Sequence, residues 1–327
     1  MSEPNHVVIT SIFAPTKAVL AFAGNPANRL IVVGDKKTPS DWSCPGAIFL
    51  AAGEKTGFRL EKKLPYNHYS RKMLGYLYAM RAGATRIYET DDDNLPKADW
   101  HIPDFGAAYE QSAEHLGFVN VYSQYTQQKI WPRGFPLDLI KDAAPLALQG
   151  KAAHPVGIFQ GLADGDPDVD AIYRLTCNAP CLFEEKPPVV LAPGTWCPYN
   201  SQNTTHIKAV FPLLYLPSSV TFRFTDILRG LLAQPILHHY GYRLGFCTAS
   251  VFQERTEHDY VKDFESEIPC YLHSKNVIAI ASGALRQGLS LSENLYRVYE
   301  ALSANALVQG EELNSLAAWL EDVEENT

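Results

Sequence analysis

The first 90 residues alternate short β-branched runs with a helical repeat, and this order restricts the possible folds most strongly. Residues 70–84 have apolar side chains at helical spacing, with Ser70 as the N-cap and Gly83 near the C-terminus. Strands that alternate with a helix in this way indicate a parallel sheet with crossover helices, in an α/β fold. The runs that predict strands are HVVITSIF (6–13), RLIVVGD (29–35), GAIFLAA (46–52) and RIYET (86–90).

The rest of the chain predicts a loop-rich middle and a helical end. Residues 97–200 are rich in Pro, Gly, Asp and Asn, and long irregular segments in a compact domain are usually functional. Residues 209–241 predict a strand, a turn and a helix that begins near Thr225. The tail over residues 291–325 predicts two amphipathic helices.

The composition is that of an ordinary globular protein. The 327 residues are 46% hydrophobic and 20% charged, and a net charge of −8 disfavours binding to nucleic acid or to an anionic membrane. No apolar run approaches the roughly 20 residues of a membrane span, and the first residues lack the plan of a signal peptide. Six scattered cysteines match no zinc pattern. We therefore expect reduced thiols in a cytoplasmic protein.

Three aspartates, Asp91, Asp92 and Asp93, directly follow the strand RIYET. Ligands bind at the carboxyl ends of the strands in such sheets, and Ser11 and Asp35 also lie at strand ends. Adjacent carboxylates repel one another, so they are expected where a cation compensates them. Asp91 and Asp93 are therefore candidate ligands for Mg²⁺ or Mn²⁺, which would share its shell with substrate phosphates. A solvated, charged turn is the alternative.

Two basic residues, Arg71 and Lys72, occupy the first turn of the predicted helix. Cations are disfavoured at the positive end of the helix dipole, so a bound anion would explain them. Two exposed bases on a surface helix are the alternative. On the loop after the second strand, Asp35 could contact a ribose or a base, and Lys37 could contact a phosphate. A solvated turn is again the alternative.

Further acidic residues occur in two later segments. DGDPDVDA carries Asp168 and Asp170, which we expect to hydrogen-bond sugar hydroxyls because the segment does not match an EF-hand loop. Asp226 lies at the start of the helix after residue 225, where it is either a cap or a general base that deprotonates an acceptor hydroxyl. The sequence contains neither a P-loop motif nor a nucleophile elbow.

Six segments, taken in order, resemble the glycosyltransferase domain of the STELLO family, plant Golgi proteins associated with cellulose synthase. The resemblance runs from about residue 7 to residue 241. The sequence also resembles, more weakly, the reversibly glycosylated polypeptide family, which are the UDP-arabinopyranose mutases. This resemblance rests on Arg71, the aspartate triplet, Arg133-Gly134, DPDVDA and PGTWCP. The STELLO-like segments are KTPSDWSCPGAIFL, GFRLEKKLPYNHYSRKMLGYLYAM, WPRGFPLDLI, DPDVDAIYRL, PYNSQNTTH and TDILRGLLAQPIL.

Both resemblances imply a GT-A fold, in which a Rossmann-like nucleotide half joins an acceptor half. They also imply a UDP-sugar and a divalent ion at the aspartate triplet. We therefore expect a GT-A-like domain over residues 1–285, with a nucleotide half over 1–96 and a sugar or acceptor half over 97–285. A helical extension is expected over 286–327. The sequence shows no counterpart of the STELLO transmembrane segment, so Golgi anchoring is not expected.

The expected site has three parts. Asp91 and Asp93 are expected to bind the metal ion. In GT-A enzymes a histidine late in the sequence often completes the metal shell, and here Gln253 and His258 are both candidates for that position. In the mutase family an arginine near position 133 can carry sugar, and Asp226 is the candidate base if the enzyme inverts. The nucleotide pocket is expected to include Ser11, Asp35, Lys37, Asn67, Arg71, Asp91 and Asp92. The sugar or acceptor is expected to contact Arg133, Asp168, Asp170, Asn200 and Asn203.

The sequence therefore predicts a metal-dependent glycosyltransferase that uses Mn²⁺ or Mg²⁺. It is expected to move a sugar from a UDP-linked donor to a glycan or glycoconjugate acceptor. A mutase that interconverts the pyranose and furanose forms of a UDP-sugar is the alternative. A non-catalytic scaffold that binds sugar nucleotides is a third hypothesis, and the intact acids at positions 91, 93 and 226 argue against it.

Overall fold

The computed structural model describes residues 4–141, 146–254 and 259–327. Its strands are β1 (Asn5–Thr10), β2 (Asn28–Val33), β3 (Ala47–Leu50), β4 (Arg86–Thr90), β5 (Asn94–Pro96), β6 (Tyr109–Ser112), β7 (Gly117–Phe118), β8 (Leu148–Ala152), β9 (Val156–Gly165), β10 (Val189–Val190), β11 (Thr195–Trp196), β12 (Asn203–Ile207) and β13 (Arg243–Gln253). Its α-helices are α1 (Lys17–Gly24), α2 (Lys72–Arg81), α3 (Tyr122–Tyr125), α4 (Ala171–Thr176), α5 (Thr225–His239), α6 (Tyr260–Ala284), α7 (Leu291–Ala304) and α8 (Glu312–Asn326). None of these helices combines the length and the apolar character that crossing a bilayer requires.

Within the described residues, eleven strands form one mixed sheet in the order β3-β2-β1-β4-β12-β9-β13-β10-β6-β8, with β5 paired to β13. Strands β1 to β4 are parallel to one another, so their carboxyl ends meet at the same edge. Strand β12 runs antiparallel to both β4 and β9 and joins this parallel half to the rest of the sheet. The α/β class predicted from the sequence is confirmed.

The elements predicted in the first 90 residues are present, and the strand over residues 86–90 coincides with β4. The strand predicted after residue 209 is wrong. This segment is a 3₁₀ helix, Lys208–Leu214, because Pro212 has no N–H for a strand ladder and the apolar side chains pack against the C-terminal helices. The loop-rich middle also contains β9, which sequence analysis missed. All ten of its residues are buried, so it lacks the alternation that marks a strand with one exposed face.

Helices cover both faces of the parallel strands, with α1 on one face and α2 on the other. Gly75 of α2 lies directly against the sheet. A Cβ atom at this position would lie 2.5 Å from a methyl group of Val8 and 2.8 Å from one of Val33, so only glycine permits this close approach. Helix α5 is buried along nearly its whole length, and this explains why its sequence has no continuous polar face.

The C-terminal helices share the main core with the sheet. Trp319 of α8 is fully buried beside Tyr215, and its Nε1 donates to the carbonyl of Pro212 at 3.0 Å. The carboxylate of Glu312 accepts from the backbone N–H groups of residues 218 and 219 at 2.7 to 3.1 Å. The boundary expected after residue 285 lies between α6 and α7, and the chain beyond it packs into the same core.

We expect the substitution Trp319→Ala to lower the free energy of unfolding by about 3–5 kcal/mol, because it removes a fully buried indole and leaves a cavity. Urea unfolding followed by circular dichroism measures the change. The matched control is Glu324→Ala, at an exposed position of the same helix, which should stay within about 0.5 kcal/mol of the native protein. A loss below about 1 kcal/mol for Trp319→Ala would contradict a core role for α8.

Candidate functional site

A cleft of about 480 Å³ opens at the carboxyl ends of β1, β2 and β4. This is the edge of an α/β sheet at which ligands bind. The predicted site residues that line it are Ser11, Asp35, Lys37, Asn67, Arg71, Asp91, Asp92, Asp93, Arg133, Asp168 and Asp226, together with Gln253. His68, Tyr69, Phe222 and Arg223 also line it.

Asp91 contacts two donors through the same oxygen. Its Oδ1 lies 3.1 Å from Nζ of Lys72 and 3.2 Å from the hydroxyl of Tyr69. Lys72 is the first residue of α2 and is fully buried. Lys72 thus pairs with a carboxylate inside the protein. Both sequence-based hypotheses for this residue, contact with a bound anion and exposure on a surface helix, are wrong. Burial raises the pKa of Asp91, and the Lys72 ammonium opposes that rise.

The other two aspartates of the triplet each have one oxygen engaged. Oδ2 of Asp92 accepts from the hydroxyl of Ser11 at 2.5 Å, and burial raises the pKa of Asp92 to about 6. Oδ2 of Asp93 accepts from Nε2 of Gln253 at 3.0 Å. Oδ1 of Asp93 is buried and has no hydrogen-bond partner in the part of the chain that the structure describes. A buried oxygen without a hydrogen bond lowers the stability of the fold unless a ligand binds to it.

The triplet suits a hard divalent cation, with one restriction. Carboxylate oxygens are the ligands that Mg²⁺ and Mn²⁺ prefer, and the unpartnered oxygen of Asp93 is one of them. Among residues 4–141, 146–254 and 259–327, however, no three Asp, Glu, His or Cys side chains converge as a complete metal site. The triplet therefore fits a cation only if a bound ligand supplies part of the shell. His258 lies outside the described residues, so its role as a ligand stays a prediction.

A second polar group lies on the loop after β2. Asp35 is buried, and its Oδ2 accepts from the backbone N–H of His68 at 3.3 Å and lies 3.6 Å from Nε of Arg71. The guanidinium of Arg71 also lies over the ring of Tyr66, at 4.5 Å from its centre. Arg71 is therefore held between a carboxylate and an aromatic ring. Exposed in the same part of the cleft are Lys37 and Asn67.

Arg133 is buried and connects Asp168 with Asp226. It donates to the two oxygens of Asp168 at 2.9 and 2.8 Å, and to the two oxygens of Asp226 at 3.1 Å each. It also donates to the backbone carbonyl of Arg223. These contacts engage every nitrogen of the guanidinium, in the bidentate geometry that favours arginine over lysine.

A hydrogen-bond chain joins the triplet to Asp226. The hydroxyl of Tyr69, which contacts Asp91, also contacts the hydroxyl of Ser201, and that hydroxyl lies 3.3 Å from Oδ2 of Asp226. Burial raises the pKa of Tyr69 well above its ordinary value, so the phenol stays protonated and can donate. Sequence analysis did not identify Tyr69 or Ser201 as site residues, although both lie in STELLO-like segments, because neither is a charged residue at a strand end.

A buried ion pair ties the strand of the triplet to the helix of Asp226. Glu89 on β4 and Arg229 on α5 are fully buried and form two hydrogen bonds, of 2.6 and 3.0 Å. The hydroxyl of Tyr76 also donates to Glu89, and Arg229 donates to the carbonyl of Asn200 at 3.3 Å. Sequence analysis missed this pair. A lone arginine in the apolar stretch ILRGLLA was the available signal.

Asp170 does not line the cleft. It caps α4, since its Oδ1 accepts from the backbone N–H of Tyr173 at 2.9 Å, and its Oδ2 accepts from the indole of Trp131 at 2.7 Å. The side chain is fully buried in this arrangement. The structure therefore does not support the predicted contact between Asp170 and a sugar, and Asp168, two residues earlier, is the member of the pair that lines the cleft.

Asn200 and Asn203 also lie behind the cleft. Asn200 donates to Oδ2 of Asp168 at 2.8 Å, so it orients a residue of the cleft. Asn203, on β12, donates to the carbonyl of Leu162 on β9 at 2.8 Å. Both side chains are buried. The direct ligand contacts predicted for them are not supported, because hydrogen bonds inside the protein already engage these amides.

We expect Asp170→Ala to destabilise the fold by about 1–2 kcal/mol at pH 7.5 through loss of the cap, and to leave the affinity for a nucleotide sugar unchanged. Burial raises the pKa of Asp170 to about 6, so the folded protein holds this proton more tightly than the unfolded chain does. The stability that Asp170 confers is therefore greatest at low pH and falls as pH rises through about 6. Urea unfolding should show a cost about 1 kcal/mol larger at pH 5 than at pH 7.5. Unchanged stability with a weakened affinity would contradict this assignment.

Comparison with known proteins shows similarity to proteins named as glycosyltransferases. The family model described as STELLO glycosyltransferases matches residues 223–326, a stretch that includes Asp226 and helices α5 to α8. Two relatives from Arabidopsis thaliana, the probable glycosyltransferases STELLO1 and STELLO2, are each 27% identical to the chain over 97% of its length. The chain spans 44% of each of these relatives.

These matches and the observed architecture agree with the fold predicted from the sequence. A mixed α/β sheet with a parallel half, followed by C-terminal helices, is consistent with a GT-A-like glycosyltransferase fold. The matches in the two relatives cover nearly the whole chain, including the segment that holds the aspartate triplet. The resemblance seen in the sequence is thereby confirmed: the chain is similar to the STELLO-type glycosyltransferases.

Proposed function

We propose that the protein is a metal-dependent glycosyltransferase that moves a sugar from a UDP-linked donor to a hydroxyl of a glycan or glycoconjugate acceptor. The observation that carries this proposal is that the aspartate triplet and Asp226 line one cleft at the strand ends. The similarity to proteins named as glycosyltransferases supports the same class of reaction. A solvated, charged turn would not have the partners of the triplet, namely Lys72, Ser11 and Gln253.

The nucleotide would bind near the ends of β1 and β2. The carboxylate of Asp35 is suited to accept from a ribose hydroxyl or a base N–H, and the hydroxyl of Ser11 adds a further polar group. Arg71 and Lys37 contribute positive charge that favours a phosphate. Asp35 is already paired with Arg71, so its charge is compensated before a ligand arrives.

Mn²⁺ or Mg²⁺ would be held by Asp91 and Asp93, with Asp92 nearby and phosphate oxygens in the remaining positions. Such a cation, when bound, stabilises the negative charge of the leaving nucleotide. Gln253 would position the carboxylate of Asp93 in this arrangement. Its Nε2 donates to Asp93 and its Oε1 accepts from Gln202, so both ends of the amide are engaged by the protein.

Asp226 is the candidate base for an inverting reaction. Oδ2 of Asp226 accepts from Arg133 and from the backbone and hydroxyl of Ser201, whereas Oδ1 accepts only from Arg133 among the described residues. Oδ1 can accept a further hydrogen bond, so it retains capacity for an acceptor hydroxyl. Arg133 also compensates Asp168, so two carboxylates can lie together at the acceptor side without repelling one another. In a retaining mechanism Asp226 would not act as this base.

The contacts of Arg133 favour the transferase over the mutase. An arginine that carries sugar must present a free nitrogen as a nucleophile, whereas the nitrogens of Arg133 donate to Asp168, Asp226 and the carbonyl of Arg223. A sugar-carrying role would first have to break these ion pairs. The identity of the sugar as hexose or pentose, the acceptor and the cytoplasmic location stay predictions.

We expect the double substitution Asp91→Asn with Asp93→Asn to weaken Mn²⁺-dependent binding of UDP at least about tenfold, because amides supply no charge to a hard cation. Isothermal titration of UDP in the presence and absence of Mn²⁺ measures this effect. The matched control is Asp41→Asn, at an exposed position outside the cleft, which should retain the native affinity. Undiminished Mn²⁺-dependent binding by the double variant would contradict the metal assignment.

Incubation of a UDP-sugar with the protein and Mn²⁺, without an acceptor, separates the three functional hypotheses. A transferase should slowly release UDP and free sugar, which NMR of the products detects. If Asp226 is the base, Asp226→Asn should lower the rate about 10²- to 10⁴-fold and keep the affinity for UDP. Conversion to a ring isomer of the UDP-sugar would support the mutase. Binding of UDP without any turnover would support the scaffold.

A further inference from the structure

Lys72 lies behind Asp91, and its side chain is 0% exposed. Its Nζ has three oxygen partners: Oδ1 of Asp91 at 3.1 Å, the hydroxyl of Tyr69 at 3.0 Å and the carbonyl of Ser201 at 3.2 Å. An ammonium group has three protons, so these contacts satisfy it completely. The positive charge is therefore fixed beside the carboxylates that are proposed to bind a cation.

The position of Lys72 sets it apart from the other basic residues near the cleft. Arg133 is paired with Asp168 and Asp226, and Arg71 is paired with Asp35. Lys72 is paired with the triplet itself, through Asp91. It reduces the formal charge of the three aspartates from −3 to −2, and a divalent cation that approaches them meets an ammonium at close range.

Protein groups already engage three of the six carboxylate oxygens of the triplet. Lys72 and Tyr69 engage Oδ1 of Asp91, Ser11 engages Oδ2 of Asp92, and Gln253 engages Oδ2 of Asp93. In the described part of the chain, no three metal-binding side chains converge as a complete site. The protein alone thus supplies an incomplete shell for a cation such as Mn²⁺ or Mg²⁺.

The geometry points to Lys72 as a positioning residue that makes cation binding depend on a bound diphosphate. This inference rests on the proposed function. Without a diphosphate, the cation lacks ligands and is repelled by the ammonium of Lys72. A diphosphate supplies both the missing oxygens and additional negative charge, so the two ligands bind together. At several ångströms, repulsion between a unit charge and a divalent ion is worth at least about tenfold in affinity even in a water-like dielectric.

The native protein provides the first test. Electron paramagnetic resonance of free Mn²⁺, with the ion bound by UDP alone subtracted, measures how much of the ion is bound at a given protein concentration. We expect the affinity for Mn²⁺ to be at least about tenfold higher with saturating UDP than without it. Equal affinity in the two conditions would overturn the inference.

Variants of Lys72 provide the second test. Lys72→Met removes the charge, and we expect it to raise the affinity for Mn²⁺ in the absence of UDP by about tenfold or more, so that the effect of UDP becomes smaller. Lys72→Arg retains the charge and should retain the dependence on UDP. A structural role alone would weaken Mn²⁺ binding in Lys72→Met, and that result, or no change, would overturn the inference. If thermal melting shows that Lys72→Met is unfolded, Lys72→Gln is the neutral replacement and carries the same expectation.

Binding of UDP in the same samples separates this inference from the proposed function. If the native protein binds neither ligand when UDP and Mn²⁺ are both present, the proposed function fails, and the role of Lys72 fails with it. If UDP and Mn²⁺ bind together but the neutral variants leave the affinity for Mn²⁺ alone unchanged, the proposed function stands and the role of Lys72 is wrong.

Discussion

The ion pair between Glu89 and Arg229 is the interaction on which the geometry of the cleft depends. Two charges in the core carry a large desolvation cost, which is tolerated here because Tyr76 and the carbonyl of Asn200 add hydrogen bonds to the pair. Loss of one partner would leave an uncompensated charge inside the core. The pair therefore holds β4, which leads into the triplet, against α5, which begins beside Asp226.

Charge compensation between distant parts of the chain extends from this pair into the cleft. Asp91 is matched by Lys72, Asp35 by Arg71, and two further aspartates by Arg133. Each pair joins residues from different elements, so the pairs fix the relative positions of those elements. The result is an acidic cleft in which most charges already have partners, while one oxygen of Asp93 is left for a ligand.

The parts of the site that follow a strand could be predicted from the sequence, because a parallel sheet brings its strand ends together whatever lies between them. The partners could not be predicted in the same way. Tyr69 and Ser201 are 132 positions apart, and only the antiparallel insertion of β12 beside β4 brings them into contact. Asp168 and Asp170 illustrate the same limit. They look alike in the sequence, yet one lines the cleft and the other caps α4.

The contact between Glu312 and the backbone of Ser218 has a consequence for the order in which the protein matures. The segment that begins at Ser218 ends at Arg223, whose carbonyl binds Arg133, and it is clamped by a residue 94 positions later in the chain. The aspartate triplet and the strands around it leave the ribosome first, whereas this clamp forms only after α8 has begun to emerge. A chain that stops before residue 312 therefore lacks the clamp on the segment that contacts Arg133, even though all the residues of the aspartate triplet are already present.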